Sequence, residues 1–277
     1  MNAQKLTTLI FILIQLPILA FEQINYGSNI GNYLTVRGTK IYYEEYGKGT
    51  PLILLHGGMG SINHFQKCIP ELSEKFRVIA IDAPGLGRSE YADSALSYQL
   101  MADYYSKALD IMKLDSAYII GWSDGAVAAL LLGSNRPDKV KKILVSGANF
   151  KAKGAKPEVL EEWKRSTDTA WVAKEMKDWI SYYKQKSPTG NWKRYITEAR
   201  KFWFEELYFS KSVLEAIKIP VLVVYGDRDV ITIEHELEIR DAIKNSQFCI
   251  IPNCSHNVFG EKPDLINQIA IDFFNGN

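Results

Sequence analysis

Cysteine is scarce in this chain of 277 residues, and its three copies exclude several kinds of site. Cys68, Cys249 and Cys254 cannot all pair within one molecule, and they lack the paired spacing of a zinc site or of a redox Cys-x-x-Cys motif. No disulfide framework is expected, although Cys249 and Cys254 are close enough in sequence for one bridge in an oxidising compartment. Buried free thiols are the preferred interpretation.

An excess of charge of either sign is also missing. The formal net charge is +1, and basic and acidic residues are mixed along the chain. Without a basic stripe the sequence does not favour nucleic acid as a partner, and without an acidic tail it does not favour disorder. No internal repeat or low-complexity segment is visible. We therefore expect one main domain that acts on a small-molecule substrate; the sequence specifies no oligomeric state.

The one long hydrophobic run of the sequence lies at its N-terminus. Lys5 precedes an apolar stretch over residues 6–21, which a glutamine and a proline interrupt, and Ala20 offers a small residue where a signal peptidase could cut. A spanning helix usually needs about 20 apolar residues, and this run is shorter and broken. The pattern predicts a signal peptide over residues 1–20, export as a periplasmic or secreted protein, and no stable membrane span after cleavage. The alternatives are an uncleaved membrane anchor and a buried helix.

Beyond this run the chain alternates short apolar runs with stretches of helical pattern. Residues 32–47 alternate apolar and polar side chains around Arg37-Gly38-Thr39, which indicates a hairpin. Later runs are mostly apolar on both faces, as in a parallel sheet covered by helices on each side. They occupy residues 51–55, 77–81, 117–120, 142–145, 220–225 and 248–251. The sequence therefore predicts an α/β fold with a mostly parallel central sheet flanked by helices.

One connection between these runs is much longer than the others. Residues 151–218 are charged, helical in pattern and aromatic. They hold five of the six tryptophans in the chain: Trp163, Trp171, Trp179, Trp192 and Trp203. We expect an inserted helical lid that closes over a site and excludes water, on a core formed by residues 21–150 and 219–277. The alternative for any single tryptophan is that it only packs a lid helix against the body.

A serine between a predicted strand and a predicted helix gives the first chemical signal. Gly121-Trp122-Ser123-Asp124-Gly125 matches the G-x-S-x-G motif in the strand-turn-helix setting that makes it specific. The two glycines suit a tight turn that leaves no room for side chains beside the serine. The sequence therefore predicts Ser123 as a nucleophile, which needs a base to remove its proton. The alternative is a glycine-rich turn with an incidental serine.

Histidine, which could supply that base, occurs four times. His56 lies in a glycine-rich loop that it is expected to brace, and His64 and His235 have no flanking motif. His256 follows the last apolar run, which places it at the carboxyl edge of the sheet, where ligands bind in open α/β folds. His256 is the predicted base, by position and by elimination.

An acid that orients the histidine should lie on the same edge, between the serine and the histidine in chain order. Gly226-Asp227-Arg228-Asp229 follows the fifth apolar run, and both of its aspartates meet this requirement. We prefer Asp229 because a residue just past the turn can point back over the strand edge, whereas Asp227 could cap the turn. The segment after the fourth run, residues 146–149, contains no acid, which strengthens the assignment.

Acyl transfer also needs hydrogen-bond donors for the developing oxyanion. The backbone N–H of Asp124 is one predicted donor, and the backbone N–H of Gly58, with Met59 as the fallback, is the other. Met59, Trp122 and Asp124 are also candidates for substrate binding. The Asp124 carboxylate could attract an ammonium group; the alternative is that an acid is simply favoured at a helix N-terminus by the helix dipole.

The succession of these motifs resembles the α/β-hydrolase superfamily from about Tyr33 to the C-terminus. It comprises the loop at residues 56–58, the sequence DAPGLGRS at residues 82–89, the serine turn, the GDRD turn and the late His256. The surroundings of the serine are similar to those in valacyclovir-hydrolase-like (biphenyl hydrolase-like) enzymes and some enol-lactonases. The resemblance implies hydrolysis of a small ester, lactone or amide. A serine at this position argues against the haloalkane dehalogenase and epoxide hydrolase branches, which use an aspartate.

The expected reaction passes through an acyl-enzyme on Ser123 and needs neither a cofactor nor a metal ion. A carbon–carbon bond hydrolase or a cofactor-free perhydrolase could use the same three residues, and product analysis distinguishes them. A catalytically idle binding protein could use the lidded pocket as a receptor. Failure of a fluorophosphonate probe to label Ser123 would favour that last alternative.

Overall fold

The computed structural model describes residues 26–27, 31–92 and 94–276. The predicted leader, residues 1–20, lies outside these described residues. Across the described ranges, no helix is both long enough and apolar enough to cross a membrane.

A single sheet of eight strands forms the centre of the described chain. The strands are β1 (Asn32–Val36), β2 (Thr39–Tyr46), β3 (Pro51–Leu55), β4 (Arg77–Ile81), β5 (Ala117–Trp122), β6 (Val140–Ser146), β7 (Val221–Gly226) and β8 (Ser246–Ile251). Their order in space is β1-β2-β4-β3-β5-β6-β7-β8. The β1–β2 and β2–β4 pairs are antiparallel, and all other pairs are parallel. The predicted mostly parallel sheet is confirmed.

The antiparallel edge of the sheet begins with a tight hairpin. Val36 pairs with Thr39 across a two-residue loop. Arg37 and Gly38 both have positive φ angles, 51° and 84°. Such a turn matches the twist of the two strands that it joins. The hairpin predicted from the alternation of residues 32–47 is therefore confirmed.

Helices cover both faces of the sheet. They are α1 (Ile69–Lys75), α2 (Tyr98–Ile111), α3 (Asp124–Asn135), α4 (Pro157–Ser166), α5 (Thr169–Glu175), α6 (Lys177–Lys186), α7 (Trp192–Trp203), α8 (Lys211–Ala216), α9 (Ile233–Ala242), α10 (Val258–Glu261) and α11 (Pro263–Asn275). Short 3-10 helices add Ile62–Phe65 and Ala152–Gly154.

Alternate residues of the central strands feed two hydrophobic layers. In β3, Ile53 and Leu55 join the layer that contains residues of α2 and α3, while Leu52 and Leu54 join the layer that contains residues of α1 and α11. All four side chains are buried. Because helices cover both faces, the strand is apolar throughout, which is the pattern seen in the sequence.

Helices α4 to α8 lie between β6 and β7, in the segment predicted to be a lid. The start of this segment is bonded to the loop after β7: Lys156 donates its N–H to the Val230 carbonyl, and Thr232 donates its N–H to the Gly154 carbonyl, each at 2.9 Å. The insert therefore begins beside the turn that carries Asp229. Its closure over a site, and the limits 151 and 218, stay predictions.

The three cysteines are free. Cys68 and Cys254 are buried, and Cys249 is partly buried. The structure therefore does not form the alternative bridge between Cys249 and Cys254, and the thiols take the preferred role of small apolar side chains.

Candidate active site

Ser123 lies on a sharp turn between β5 and α3. Its backbone has φ 53° and ψ −121°, a conformation that costs a non-glycine residue on the order of 1–3 kcal/mol. Its N–H donates to the Ser146 carbonyl of the neighbouring strand at 2.9 Å. A Cβ on Gly121 would lie 2.6 Å from the Gly125 carbonyl oxygen, and a Cβ on Gly125 would collide with the Leu55 carbonyl. The two glycines are therefore required for the close approach that holds the turn.

His256 and Asp229 are paired at the carboxyl edge of the sheet. The Nδ1 of His256 lies 2.8 Å from Oδ1 of Asp229, and the same oxygen accepts the Ile231 N–H at 3.0 Å. Asp229 is fully buried, while about a fifth of the His256 side chain, 21%, is exposed. Since a carboxylate only accepts, Nδ1 carries a proton and Nε2 is left available as a base.

The other aspartate of the turn has a different place. Asp227 is exposed, and its Oδ1 accepts the N–H of Cys254 at 3.0 Å, while its own N–H donates to the Ile251 carbonyl. Asp227 therefore ties the loop after β7 to the loop after β8. The geometry assigns the histidine contact to Asp229.

The loop after β3 carries the candidate oxyanion donors Gly58 and Met59. The Met59 N–H already donates to the Tyr195 hydroxyl at 2.8 Å, and the Met59 carbonyl accepts the Trp179 indole N–H at 2.8 Å. In the described chain the Gly58 N–H has no hydrogen-bond acceptor. The Asp124 N–H is the first of α3 and has no acceptor within the helix. The arrangement thus favours Gly58 over Met59 as the partner of Asp124.

The carboxylate of Asp124 is held by two aromatic donors. Tyr98 donates its hydroxyl to Oδ1 at 2.9 Å, and Trp203 donates its indole N–H to Oδ2 at 3.0 Å. Burial raises the pKa of Asp124 to about 6, so the group is mostly ionised at neutral pH. A Cβ on Gly58 would lie 2.5 Å from Oδ2 of Asp124 and 2.6 Å from Trp203, which explains the glycine there.

One cavity of about 320 Å³ contains these groups. It is lined by Gly58, Met59, Tyr98, Ser123, Asp124, Asn149, Val159, Glu162, Trp163, Ser166, Met176, Trp203, Val230, Ile231 and His256. The body supplies Ser123, His256 and Asp124, and the insert between β6 and β7 supplies Val159, Trp163, Met176 and Trp203. Lysine and arginine are absent from this lining, which lies wholly in the described chain, whereas two acids, Asp124 and Glu162, take part in it.

The remaining histidines are buried away from this cavity lining. His56 donates from Nδ1 to the Gly57 carbonyl and accepts the Ala83 N–H at Nε2, so it braces the loop as expected. Burial lowers the pKa of His56 to about 4 and that of His64 to about 3. His235 accepts the Phe150 N–H, and burial lowers its pKa to about 4.

Trp122 corrects one prediction from the sequence. It was a candidate for substrate binding, but it does not line the cavity. Trp122 packs against His64 and Phe259, and its indole N–H donates to the His256 carbonyl at 2.7 Å. Successive residues of a strand point to opposite faces, so the neighbour of Ser123 is directed into the other layer. Trp122 supports the His256 loop instead.

Two cavity residues, Tyr98 and Trp203, were not singled out from the sequence. Both bind Asp124, yet they lie far from it along the chain, in α2 and α7. The tryptophan-rich insert was a signal for aromatic contacts in general. It could not show which of its side chains reaches the site.

Comparisons with known proteins agree with the fold. The family model described as alpha/beta hydrolase fold matches residues 50–166. The human serine hydrolase BPHL is 24% identical over 252 residues, which cover 87% of this chain and 84% of that protein. A 2-hydroxy-6-oxo-6-phenylhexa-2,4-dienoate hydrolase of Comamonas testosteroni is 25% identical, with 84% and 90% covered.

Solved structures show the same fold. An N-acyl homoserine lactone degrading enzyme matches with a TM-score of 0.72 at 23% identity, over 87% of this chain and all of that one. The enol-lactonase from Burkholderia xenovorans matches with a TM-score of 0.69 at 18% identity, over 88% and 100%. The fold, the family model over residues 50–166 and the hydrolase-named relatives agree, and the chain is similar to α/β hydrolases of the serine hydrolase type.

Proposed function

We propose that the chain hydrolyses a small-molecule carboxylic ester, lactone or amide through an acyl-enzyme on Ser123. The observation that carries the proposal is the His256–Asp229 pair, bonded at 2.8 Å, in a site whose cavity is lined by both His256 and Ser123. A base that is oriented by a buried acid beside a serine on a strained turn is the arrangement that activates a hydroxyl.

The steps follow from the positions of the groups. The Ser123 oxygen attacks the substrate carbonyl carbon while Nε2 of His256 takes the hydroxyl proton, and Asp229 stabilises the imidazolium that forms. The N–H groups of Gly58 and Asp124 donate to the oxyanion. His256 then gives its proton to the leaving group as the carbonyl re-forms. Water then attacks the acyl carbon while His256 takes its proton, and His256 returns that proton to the Ser123 oxygen as its bond to the acyl carbon breaks and the acid leaves.

The charge of the cavity favours neutral or cationic substrates. Asp124 and Glu162 line it, and no lysine or arginine does so. An anionic substrate would meet two carboxylates without a compensating cation, which disfavours its binding. The Comamonas relative is named for a dienoate, which carries a carboxylate. The lining therefore favours ester, lactone or amide hydrolysis over the carbon–carbon cleavage of such acids.

The inserted helices are proposed to act as a lid. Val159, Trp163, Met176 and Trp203 come from this segment and give the cavity that Ser123 lines an apolar part of its wall. A wall that covers the site excludes water and strengthens the hydrogen bonds that act on the oxyanion. Apolar or aromatic acyl groups suit this wall.

Export through the leader at residues 1–20 remains a separate proposal. Its support is the apolar run after Lys5, with a small residue near its end. N-terminal sequencing of the protein recovered from its native cells tests it, since an uncleaved leader would leave the first residues in place.

A hydrolysis screen tests the proposed activity. The full chain and Ser123→Ala are compared on p-nitrophenyl esters, amino-acid esters, lactones and aminoacyl amides, with Ser166→Ala as the control because Ser166 lines the same cavity. Activity and fluorophosphonate labelling should be lost in Ser123→Ala alone. Unchanged turnover of several esters by Ser123→Ala would overturn the proposal.

A further inference from the structure

The acid of the proposed catalytic pair acts electrostatically on a second buried carboxyl group, that of Glu236. Glu236, in the first turn of α9, is fully buried, as is Asp229. Oδ2 of Asp229 and both carboxyl oxygens of Glu236 are shut off from solvent and have no hydrogen-bond partner among the described residues. Buried polar atoms without partners are rare in native proteins and call for an explanation.

The surroundings of Glu236 disfavour its charged form. The negative charge of Asp229 acts on it, and both acids also act on Tyr225 of β7. The backbone of Ala148 opposes this by stabilising the charged form, but its effect is the smallest of the three that act on Glu236. Burial, and then the negative charge of Asp229, raise the pKa of Glu236 well above its usual range. An uncompensated buried carboxylate is costly, so the group takes up a proton instead.

A protonated carboxyl group has one donor, and Asp229 has one oxygen that lacks a donor. We propose that Glu236 is a neutral carboxylic acid that donates its proton to Oδ2 of Asp229, directly or through one buried water, and thereby positions the acid that orients His256. The inference deepens the proposed function and rests on it. Glu236 does not touch substrate; it is a positioning residue.

This bond affects His256 through Asp229. Oδ1 of Asp229 already accepts from His256 and Ile231, so a donor on Oδ2 completes the hydrogen bonding of the carboxylate. A donor on Oδ2 also draws negative charge away from Oδ1, and the pull of Asp229 on the imidazolium becomes weaker. The other titratable groups that act on His256 are Asp124 and His64.

The test compares Glu236→Gln with Glu236→Leu. The glutamine amide keeps a donor and adds no charge, so the pH dependence of fluorophosphonate labelling and of kcat/KM for a neutral ester should stay close to that of the unmutated protein. The leucine removes the donor, so the acid limb should move up by about one pH unit, and labelling at a pH well down that limb should slow about tenfold. Glu238→Gln is the matched control, because Glu238 lies on the same helix in an ion pair with Lys151.

Each outcome decides the inference. If Glu236 were ionised, Glu236→Gln would remove a negative charge and move the acid limb to lower pH, which overturns the proposal. A folded Glu236→Leu with an unchanged pH profile also overturns it.

Infrared spectroscopy decides the matter without activity and without the leucine variant. At pH 8, where Asp124 is ionised, the unmutated protein should show the carbonyl stretch of a protonated carboxyl group, and Glu236→Gln should lack it. Equal spectra would overturn the proposal. Failure of fluorophosphonate to label the unmutated protein would instead count against the proposed function, and the infrared result would still stand for Glu236.

Discussion

Trp203 donates its indole N–H to Asp124, the residue directly after Ser123, at 3.0 Å. This bond joins α7, in the inserted segment, to the first residue of α3, at the site itself. The insert is therefore tied to the nucleophile turn through a charged group, and Tyr98 holds the other oxygen of that group. A substitution of Trp203 should consequently alter the position of Ser123 as well as the cavity wall.

The Asp124→Asn variant tests whether the buried carboxylate attracts an ammonium group. The amide can still accept from Trp203 and bond Tyr98, so the fold should be kept. We expect kcat/KM for amino-acid esters to fall about tenfold, which corresponds to roughly 1.4 kcal/mol, with little change for neutral esters. Because burial raises the pKa of Asp124 to about 6, the preference for amino-acid esters should also fade as the pH falls through 6.

Glu162→Gln is the control for this variant. Glu162 lines the same cavity but is exposed, so water screens its charge and its removal should change the same ratio by no more than about twofold. Equal slowing of charged and neutral esters by Asp124→Asn would leave the helix dipole as the reason for this acid.

The Trp179→Phe variant tests the support of the oxyanion loop. Trp179 donates to the carbonyl of Met59, which has a strained φ of 58°. Loss of one hydrogen bond costs about 1 kcal/mol, so we expect kcat to fall about fivefold through a looser loop, with KM less affected. Steady-state kinetics on a neutral ester measure both values.

Trp171→Phe provides the comparison, since Trp171 lies in α5 of the same insert and its indole N–H has no hydrogen bond within the described chain. Its kcat should match that of the unmutated protein. Equal losses in the two variants would mean that the insert acts through general packing and not through Met59.

Local patterns were sufficient to predict the sheet and the position of the serine turn. The strands of the parallel core are buried on both faces, and such runs stand out from their helical connections. Gly121 and Gly125 are required by close backbone contacts within a few residues or one strand away. Features of this kind depend on neighbouring residues, and they can therefore be predicted from local sequence patterns.

Contacts between distant segments could not be predicted in the same way. Trp203 is 79 positions from Asp124 along the chain, and the packing of the insert, not its composition, selects it from the five tryptophans. Glu236 looks like an ordinary solvent-exposed acid in the first turn of a helix, yet it is fully buried. Trp122 seemed to belong to the pocket by proximity, but the alternation of a strand directs it to the opposite layer.

The Asp229→Asn variant tests the assignment of the orienting acid. An amide group would donate to Nδ1 of His256 and so force the proton onto Nε2, which could then no longer accept from Ser123. We expect kcat to fall by about four orders of magnitude, as loss of the correct histidine tautomer does in triad enzymes. Pre-steady-state labelling with fluorophosphonate measures the effect without a known substrate.

Asp227→Asn is the matched control, because Asp227 is the other aspartate of the same turn. Asp227 is exposed and accepts the N–H of Cys254, which an amide oxygen can also do. Labelling should stay within about twofold of the unmutated rate. Loss of labelling in Asp227→Asn, with Asp229→Asn active, would reverse the assignment.

The His64→Phe variant tests a cost of burying a neutral histidine beneath the site. His64 packs edge-on against Trp122, and burial lowers its pKa from 6.5 to about 3. Between these two values the unfolded chain binds a proton that the folded protein does not, so this histidine destabilises the fold as the pH falls below 6.5. Phenylalanine keeps the aromatic contact and removes the proton site. The free energy of unfolding of His64→Phe minus that of the unmutated protein should therefore be about 1–2 kcal/mol larger at pH 5 than at pH 7.

Urea unfolding at the two pH values measures this difference. Asp82 and Asp124, whose pKa values burial raises to about 6, give the opposite pH dependence, but they are present in both proteins and cancel in the comparison. Asn63→Ala, a change at the neighbouring position with no titrating group, should show the same difference from the unmutated protein at both pH values. If the difference in free energy of unfolding between His64→Phe and the unmutated protein is also the same at both pH values, His64 binds a proton as readily in the folded protein as in the unfolded chain. Water would then reach its ring despite the packing against Trp122.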